Sequence, residues 1–332
     1  MAKQFQWGLL STAKINRQIL NAMPNSGRGE MLAVGSRDLD KAKAYAAENN
    51  IPRAYGSYEA LLADPEVAIV YIGLPNGLHA EWTIKALQAG KHVLCEKPFA
   101  LTLAEVDAMH AAAQAAGRVV AEAFMYRHHP MVIRARELAE SGAIGRPRYL
   151  RASFSFYLDR AYNVRWDPAI GGGALWDVGG YPVSLARYFF GAPERVEGWQ
   201  VLSPSGVDDT LVGTLYFPGE RVAQIDCSFR MPYRTVAEIV GESGSLVLSH
   251  PFHSDNPAAT LTLRQGDERE SVPTPQAERY LLEIEDMHDA IIDNRPPLVT
   301  PAETRGHIET ILDLYQSARA KSAQLPTNDT GG

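Results

Sequence analysis

Cysteine is scarce in this chain of 332 residues, which contains only Cys95 and Cys227. Two cysteines so far apart form neither a disulfide framework nor a metal-binding pattern. The sequence also lacks any apolar run near the roughly 18 residues of a membrane span, and its first residues carry no signal-peptide pattern. The sequon that begins at Asn328 therefore has no secretory context. We expect a cytoplasmic protein, away from membranes, whose two thiols stay reduced.

Basic residues are not in excess, because the formal net charge is −7 at pH 7. Nucleic-acid-binding proteins usually carry a basic patch that displaces counterions, so the charge argues against such a partner. The histidine pairs also lack metal-site character: His128 and His129 point in different directions as neighbours, and His250 and His253 lie in a proline-containing turn. Nothing completes a metal shell, so the sequence predicts no metal site.

The first third of the sequence alternates between strand-like and helical patterns. Short apolar runs, which we read as strands, occupy residues 5–10, 31–36, 67–73, 91–95 and 118–123. Helical periodicity fills the intervals between them, with the start of the last helix marked by a capping box of Thr102 and Glu105. Such alternation predicts an α/β Rossmann domain with a doubly wound parallel sheet.

The pattern changes after residue 127. One helix begins at Pro130, and β-rich runs follow at residues 148–157, 195–202, 211–217, 222–229, 236–240, 245–248 and 260–263. Their spacing predicts an open, mostly antiparallel sheet, accompanied by helices near residues 175–190, 276–293 and 302–320. We therefore expect two domains, a nucleotide-type domain at residues 1–127 and an α+β domain at residues 128–332.

Glycine is missing from the one turn where a dinucleotide-binding protein would place it. The segment WGLLSTAKIN (residues 7–16) has a strand, a turn and a helix, but Ser11, Ala13 and Asn16 occupy the three positions of the glycine fingerprint. Those glycines normally allow a tight turn and a close approach to the pyrophosphate. Serine and alanine are the smallest substitutes, and a serine hydroxyl can donate to phosphate. A plain strand-to-helix turn remains the alternative for this segment.

The end of the second predicted strand indicates which cofactor such a site would take. An NAD site usually places an acidic residue there to bind the ribose 2′-hydroxyl, whereas this chain has Ser36 and Arg37. A hydroxyl beside a guanidinium suits a 2′-phosphate, because arginine offers a planar fork to phosphate oxygens. NADP is therefore favoured, with an NAD site that uses Asp38 as the alternative.

Two further segments carry candidate chemistry. Cys95-Glu96-Lys97-Pro98 follows a buried strand, at the edge where open α/β sheets bind ligands. The segment GGGALWDVGGY (residues 171–181) has a triple glycine before a helix, and Asp177 and Tyr181 are spaced to share one helix face. Two glycines inside that helix suggest that something packs where their side chains would be.

These segments together resemble the glucose–fructose oxidoreductase / inositol 2-dehydrogenase (Gfo/Idh/MocA) family over nearly the whole chain. The likeness also includes Leu74-Pro75-Asn76 with His79, and EAFMYRHHP at residues 122–130. Within the family, the chain is most similar to the branch of dimeric dihydrodiol dehydrogenases and NADP-linked D-xylose 1-dehydrogenases. Tyr181 favours this branch, because many relatives have histidine there. The loss of the three fingerprint glycines departs from the family pattern.

The resemblance implies an NADP-dependent oxidoreductase whose C-terminal sheet makes a homodimer or homotetramer. With the residues above, it predicts a catalytic set of Lys97, Tyr181 and Asp177 and a substrate-binding set of Lys97, Arg127, Trp166, Asp177 and Tyr181. The predicted cofactor-binding residues are Ser11, Thr12, Ala13, Lys14, Ile15, Ser36, Arg37, Leu74, Pro75, Asn76, His79, Glu96, Lys97 and Arg127.

The predicted reaction moves a hydride between NADP and a CH–OH or C=O group of a sugar, such as D-xylose, or of a cyclic diol. Tyr181 is predicted to be the acid/base and Lys97 its electrostatic partner and substrate clamp, although the two roles could be exchanged. Asp177 would orient substrate hydroxyls. Two other functions stay open: an NAD-dependent glycoside hydrolase of the same family, and a nucleotide sensor without catalysis.

Overall fold

The computed structural model describes residues 4–159 and 163–322, so the sequon at Asn328 lies outside the described residues. The chain divides into two compact units, each made of two segments. The first unit comprises Met1–Ile133 and Pro275–Ile308, and the second comprises Arg134–Thr274 and Glu309–Gly332. This division differs from a single boundary after residue 127, because a later segment returns to the first unit.

The first unit contains a six-stranded parallel sheet. Its strands are β1 (Phe5–Leu10), β2 (Gly29–Gly35), β3 (Arg53–Tyr55), β4 (Ile69–Ile72), β5 (His92–Glu96) and β6 (Val120–Ala123). The spatial order is β3-β2-β1-β4-β5-β6, so the order reverses between β1 and β4. The predicted doubly wound Rossmann sheet is confirmed. In such sheets the crevice for ligands opens at the carboxyl ends of the strands beside this reversal.

Five helices connect these strands: α1 (Asn16–Ala22), α2 (Leu39–Glu48), α3 (Tyr58–Leu62), α4 (His79–Gln88) and α5 (Leu103–Ala116). Their ends follow local sequence signals. The Asp38 carboxylate accepts from the amides of Asp40 and Lys41 and caps α2. The predicted capping box of Thr102 and Glu105 begins α5, which ends at Gly117 in the left-handed region.

The second unit is built on an eight-stranded, mostly antiparallel sheet that follows the helix α6 (Pro130–Glu140). The spatial order is β14-β13-β12-β11-β7-β10-β9-β8, and β7 pairs with β10 in parallel. The strands are β7 (Pro147–Ser155), β8 (Arg195–Leu202), β9 (Asp208–Phe217), β10 (Arg221–Ser228), β11 (Arg234–Gly241), β12 (Ser245–Ser249), β13 (Thr260–Gln265) and β14 (Glu268–Val272). The helix α7 (Gly180–Phe190) packs on β7 and β10. The short elements β3, α3 and β14 lie outside the sequence prediction.

Two helices end the described chain, α8 (Arg279–Ile292) and α9 (Pro301–Ser322). The first of them packs against the Rossmann sheet. Its His288 accepts a hydrogen bond from the Trp7 indole at 3.0 Å and stacks on Phe5 with ring centroids 4.6 Å apart. Glu285 and Asp289 on the same helix bind Arg28. These contacts with β1 and its neighbourhood explain why residues 275–308 belong to the first unit.

No helix in residues 4–159 and 163–322 combines the length and the hydropathy that crossing a bilayer requires.

Candidate active site

The turn after β1 keeps a glycine-like backbone although it has no glycine. Ser11 has φ +110°, a conformation that side-chain-bearing residues rarely adopt. Its hydroxyl donates to the Gly73 carbonyl at 3.2 Å, and its own carbonyl accepts from the Asn16 side-chain amide at 2.8 Å. These bonds hold Ser11 in the conformation that the first fingerprint glycine would provide. Thr12, Ala13 and Ile15 are partly exposed beyond it, and Lys14 is exposed.

The glycine that accommodates this turn comes from the neighbouring strand. A Cβ atom on Gly73, directly after β4, would lie 2.8 Å from Asn16 Oδ1 and 2.9 Å from Ile15 Cγ2. The loss of glycine from the turn is thus accompanied by a close approach of the turn to Gly73. Asn16 occupies the third fingerprint position and is fully buried, and the hydrogen bond from its side-chain amide to the Ser11 carbonyl stabilises the turn.

The end of β2 presents Arg37 rather than a carboxylate. Arg37 is exposed, and Ser36 is buried with its hydroxyl accepting from the Asp38 amide at 3.3 Å. Asp38 Oδ1 accepts from two amides of α2 at 3.0 and 3.1 Å. Asp38 is the acidic residue on which an NAD site would depend, and its carboxylate is already engaged in capping α2. The local chemistry therefore fits a 2′-phosphate better than a free 2′-hydroxyl.

His79 joins the ends of two strands. Its Nδ1 lies 2.8 Å from the carbonyl oxygen of Pro98, and its Nε2 lies 2.8 Å from that of Leu74. The ring is completely buried, and burial lowers its pKa, opposed by the two backbone hydrogen bonds. Both nitrogens are thus engaged within the protein, and His79 fixes the loops that carry Pro75, Asn76 and Lys97.

Glu96 points into the core, while Lys97 remains partly exposed. The Tyr71 hydroxyl donates to Glu96 Oε1 at 2.5 Å, and the Lys97 amide donates to Oε2 at 3.2 Å. Burial, together with the charge of Glu96, raises the pKa of Tyr71 well above its ordinary value. The peptide bond between Lys97 and Pro98 is cis. The carboxylate predicted to touch the cofactor therefore anchors the segment from which Lys97 projects.

Arg127 lies in a short 3₁₀ turn after β6, and only 2% of its surface is exposed. Its Nη2 donates to Glu303 Oε1 at 3.0 Å. Burial raises the pKa of Glu303, but the charge of Arg127 and the backbone amide of Thr300 together lower it by more. The pKa of Glu303 is therefore below its ordinary value. This ion pair ties the turn to the start of α9.

The second unit explains the triple glycine. A Cβ atom on Gly172 would lie 2.6 Å from the Arg165 carbonyl oxygen and 2.8 Å from that of Asp167. Gly173 has φ +128°, and a Cβ atom there would overlap Asp208 Oδ1. The predicted close approach is therefore to the protein's own groups, a loop carbonyl on one side and a buried carboxylate on the other.

A π-helical turn, Leu175–Gly179, precedes α7 and contains Asp177. The predicted single helix over residues 175–190 is thus interrupted in its first turn. A Cβ atom on Gly179 would lie 2.8 Å from the Cys227 sulfur, so here too a neighbour fills the space of a missing side chain. Inserted π turns are frequent at functional sites, where they re-aim side chains.

Asp177 and Tyr181 both have close neighbours in the second unit. Asp177 Oδ2 accepts from Arg165 Nε at 2.5 Å. Tyr181 is 6% exposed, and its ring packs against Phe154 and Phe252 at centroid distances of 5.3 and 5.4 Å. The Tyr181 ring is thus packed between two phenylalanine rings at the start of α7. The Arg165–Asp177 ion pair lies at the π turn just before that helix.

Trp166 follows Arg165 and is partly exposed. Its ring meets Phe229 edge-on at 5.2 Å, and the Arg230 guanidinium lies 5.6 Å from the Trp166 ring centroid. Among the described residues, no group of three or more histidine, cysteine, aspartate or glutamate side chains could hold a metal ion.

The structure brings the predicted residues together in two sets, one in each unit. In the first unit, the turn after β1, Ser36-Arg37, Leu74–Asn76 and Glu96-Lys97 all follow carboxyl ends of strands of one parallel sheet. In the second unit, Trp166, Asp177 and Tyr181 lie around the π turn. Sequence reasoning missed Arg165 and Asp208, because no fixed spacing relates either residue to the glycine segment.

Comparisons with known proteins agree with this geometry. The model of an oxidoreductase family with an NAD-binding Rossmann fold, GFO/IDH/MocA, matches residues 5–124. A GFO/IDH/MocA C-terminal domain model matches residues 132–247.

Three similar proteins illustrate the family. The D-xylose 1-dehydrogenase (NADP(+)) 2 of Haloferax volcanii is 38% identical over 96% of this chain and 98% of its own length. The human trans-1,2-dihydrobenzene-1,2-diol dehydrogenase is 35% identical over 74% of this chain and 75% of its own length. The crystal structure of the 3-ketoreductase KijD10 from Actinomadura kijaniata, with NADP and TDP-benzene, has a TM-score of 0.88 at 27% identity and covers 95% of this chain and 98% of its own.

Proposed function

The chain belongs to the GFO/IDH/MocA family of oxidoreductases, and on that premise we propose that it is an NADP-dependent dehydrogenase or reductase. Its substrate is a CH–OH or C=O group of a sugar, such as D-xylose, or of a cyclic diol. The dehydrogenase names and the NADP of the relatives support this function. The observation that carries it is the grouping of the β1 turn, Arg37 and Lys97 at one edge of a parallel sheet.

The cofactor would be held by the ends of the strands in the first unit. Ser11 and the turn residues Thr12–Ile15 would hold the pyrophosphate, and Ser36 with Arg37 would hold the 2′-phosphate. The segments at Leu74–Asn76 and Glu96-Lys97 would hold the nicotinamide end of the cofactor, and His79 holds these segments in place. When bound, NADP supplies the nicotinamide that takes up or gives back the hydride.

The proton is handled by protein side chains. We assign Tyr181 as the group that takes the proton of the substrate hydroxyl and returns it in the reverse direction. Its packing between Phe154 and Phe252 fixes the hydroxyl, as an acid/base group requires. Lys97 clamps the substrate oxygen, and Asp177 and Trp166 border the substrate. Arg127 is a weaker candidate for binding, because its guanidinium is buried and bonded to Glu303.

The first experiment measures which nicotinamide cofactor binds. Titration with NADPH and NADH, followed by nicotinamide fluorescence and thermal stabilisation, is expected to show tighter binding of NADPH. Arg37→Ala should weaken NADPH binding about tenfold to a hundredfold, the worth of a charge-assisted hydrogen bond, and leave NADH binding nearly unchanged. Arg118→Ala is the matched control. Arg118 lies just before β6, the strand at the other edge of the sheet from β3, and its Nε donates to the Gly90 carbonyl.

The same preparation is then screened with NADP against aldoses and cyclic diols, with Tyr181→Phe beside the wild type. We expect net formation of NADPH by the wild type and a loss of at least about a hundredfold in kcat for Tyr181→Phe. Net turnover also separates a dehydrogenase from a hydrolase that regenerates its cofactor in each cycle. Binding of neither nucleotide, with none retained from expression, would disprove the oxidoreductase assignment.

We further propose that the protein acts in the cytoplasm as a homodimer or homotetramer formed through the sheet of the second unit. Both cysteines are buried and unlinked, in keeping with a reducing compartment. One face of the sheet carries exposed large apolar side chains, Trp199, Val201, Val212 and Val236. Trp199 and Val212 are directly paired neighbours on β8 and β9, so they form a continuous apolar surface.

A further inference from the structure

A cation, the guanidinium of Arg165, lies near Tyr181 within the second unit. Arg165 occupies the loop before the triple glycine and donates from Nε to Asp177 Oδ2 at 2.5 Å. Its guanidinium also faces the Phe156 ring at 5.7 Å from the centroid. Burial opposes its charge, but Asp177 and the Tyr181 hydroxyl raise the pKa of Arg165 above its ordinary value.

The backbone around Arg165 is fixed by the glycine segment. The Gly173 amide donates to the Arg165 carbonyl at 3.0 Å, and the Gly172 amide donates to the Asp167 carbonyl at 2.9 Å. On the other side, the Asn163 side chain accepts from the Arg165 amide at 3.0 Å. No side chain larger than hydrogen fits at Gly172 without displacing this loop. The ion pair is therefore a built feature, in which two chain segments are locked together at defined positions.

The charges around Tyr181 in the second unit come from several elements. Asp177 lies one turn earlier on the π turn, and Arg165 lies on the preceding loop. Cys227 of β10 is fully buried, and burial, with the nearby carboxylates Asp208 and Asp177, raises its pKa so that it stays neutral. His253, which meets Phe154 edge-on, hydrogen-bonds the Tyr233 hydroxyl at 2.9 Å. Within the described part of the second unit, Asp177 and Arg165 thus form an ion pair whose guanidinium also interacts with Tyr181.

A lone carboxylate near a tyrosine would oppose its ionisation, because a second negative charge then forms beside the first. We propose that Arg165 is a positioning residue that neutralises Asp177, so that Tyr181 loses and regains its proton beside a balanced ion pair. This inference rests on the acid/base role given to Tyr181 in the proposed function. Arg165 acts through Asp177 and Tyr181 and does not itself exchange the proton.

The test is a cycle of charge-removing substitutions read through the pH profile of kcat/KM. Arg165→Met should raise the apparent pKa of the catalytic base by about one unit, and Asp177→Asn should lower it by about one unit. The double variant should return to within about half a unit of the wild type, because both charges are gone. Arg165→Lys keeps the charge and should leave the apparent pKa nearly unchanged.

A matched control separates this role from a general effect of arginine. Arg136 donates from Nε to Glu140 at 2.7 Å, and its guanidinium lies 4.4 Å from the Tyr188 ring centroid. Its side chain is 39% exposed, against 38% for Arg165. Arg136→Met thus removes a similar arginine–carboxylate pair beside a tyrosine, and it should not move the pH profile.

A measurement without turnover keeps this inference separate from the proposed function. In the full chain labelled with [¹³Cζ]tyrosine, the resonance that disappears in Tyr181→Phe reports the ionisation of that phenol directly. It should titrate at higher pH in Arg165→Met and at lower pH in Asp177→Asn. If no sugar or diol is turned over, the proposed function fails while this titration still tests Arg165.

Two results would overturn the inference. If the ion pair were purely structural, Arg165→Met and Asp177→Asn would each lower the melting temperature. Tyr181 would then ionise at the same pH in both variants as in the wild type. Shifts in the same direction for Arg165→Met and Asp177→Asn would equally contradict charge balance. Should Arg165→Met not fold, Arg165→Gln takes its place, because it also removes the guanidinium charge and should raise the pH at which Tyr181 ionises.

Discussion

At the scale of single residues, Asp208 shows how the glycine segment is held. Its Oδ1 accepts from the Tyr315 hydroxyl at 2.7 Å, and its Oδ2 accepts from the Leu175 amide at 2.7 Å. The carboxylate thus supports the first turn of the helix that leads to Asp177. Burial raises the pKa of Asp208 to about 6, although the hydrogen bonds from Tyr315 and the backbone oppose the increase.

The raised pKa of Asp208 predicts a pH-dependent stability. Below pH 3.8, the ordinary value, both the folded and the unfolded chain hold this proton, and the contribution to stability is complete. As the pH rises toward about 6, the unfolded chain loses the proton first, so the free energy of unfolding falls by about 3 kcal/mol in total and then levels off.

Asp208→Asn should remove this dependence, because asparagine does not titrate. Urea unfolding at several pH values between 4 and 8 would measure it, as the difference in free energy of unfolding between wild type and variant. Asp267→Asn, at an exposed turn between β13 and β14, is the control and should not change the slope. A constant difference between wild type and Asp208→Asn across this range would contradict the assignment.

At the scale of elements, the turns at the sheet edge are held by neighbouring strands. Ser11 and Asn16 close the turn between β1 and α1, but the space they need is supplied by Gly73 after β4. In the same way, His79 at the start of α4 connects the loops after β4 and β5. The loops after β1, β4 and β5 therefore each depend on a residue of another element.

Gly73→Ala should test the dependence of the β1 turn on β4. The added methyl group would displace Asn16 or Ile15, at a cost of about 1–3 kcal/mol in stability, and should weaken NADPH binding by displacing the turn. Thermal unfolding and nucleotide titration measure both effects. Gly27→Ala is the control, since nothing lies within 4 Å of a Cβ atom there. Unchanged NADPH affinity in Gly73→Ala would show that the turn does not contact the cofactor.

At the scale of the whole molecule, the sheet of the second unit has two different faces. Leu150, Ala152 and Phe154 of β7 are buried on the face that α7 covers. Trp199 of β8 is 46% exposed and Val212 of β9 is 43% exposed on the other face. Large apolar side chains so arranged are typical of an interface, and this surface supports the proposed oligomer.

Trp199→Glu should dissociate that oligomer. A tryptophan at the centre of an interface commonly contributes 2 kcal/mol or more, so the dissociation constant should rise by roughly 30-fold or more. Size-exclusion chromatography with light scattering over a range of concentrations would measure the mass. Ile292→Glu is the control, because Ile292 is 47% exposed at the end of α8 in the other unit. An oligomer that survives Trp199→Glu would place the interface elsewhere.

The sequence by itself determined the local elements of this protein. Alternation of apolar runs and helical patterns predicted the Rossmann strands, and the Thr102–Glu105 capping box is present where it was expected. Such signals act within a few residues of the chain, so they can be read without the fold.

Only the tertiary structure decided which distant groups meet. An amphipathic pattern predicted a helix near residues 276–293, but the contacts of His288 with Phe5 and Trp7 decided that α8 packs on the first sheet. Likewise, the glycines at 171–173 indicated a close approach, and the fold supplied Asp208 and the Arg165 loop as the groups approached. Burial and pairing over long chain separations depend on all elements at once, and no local spacing encodes them.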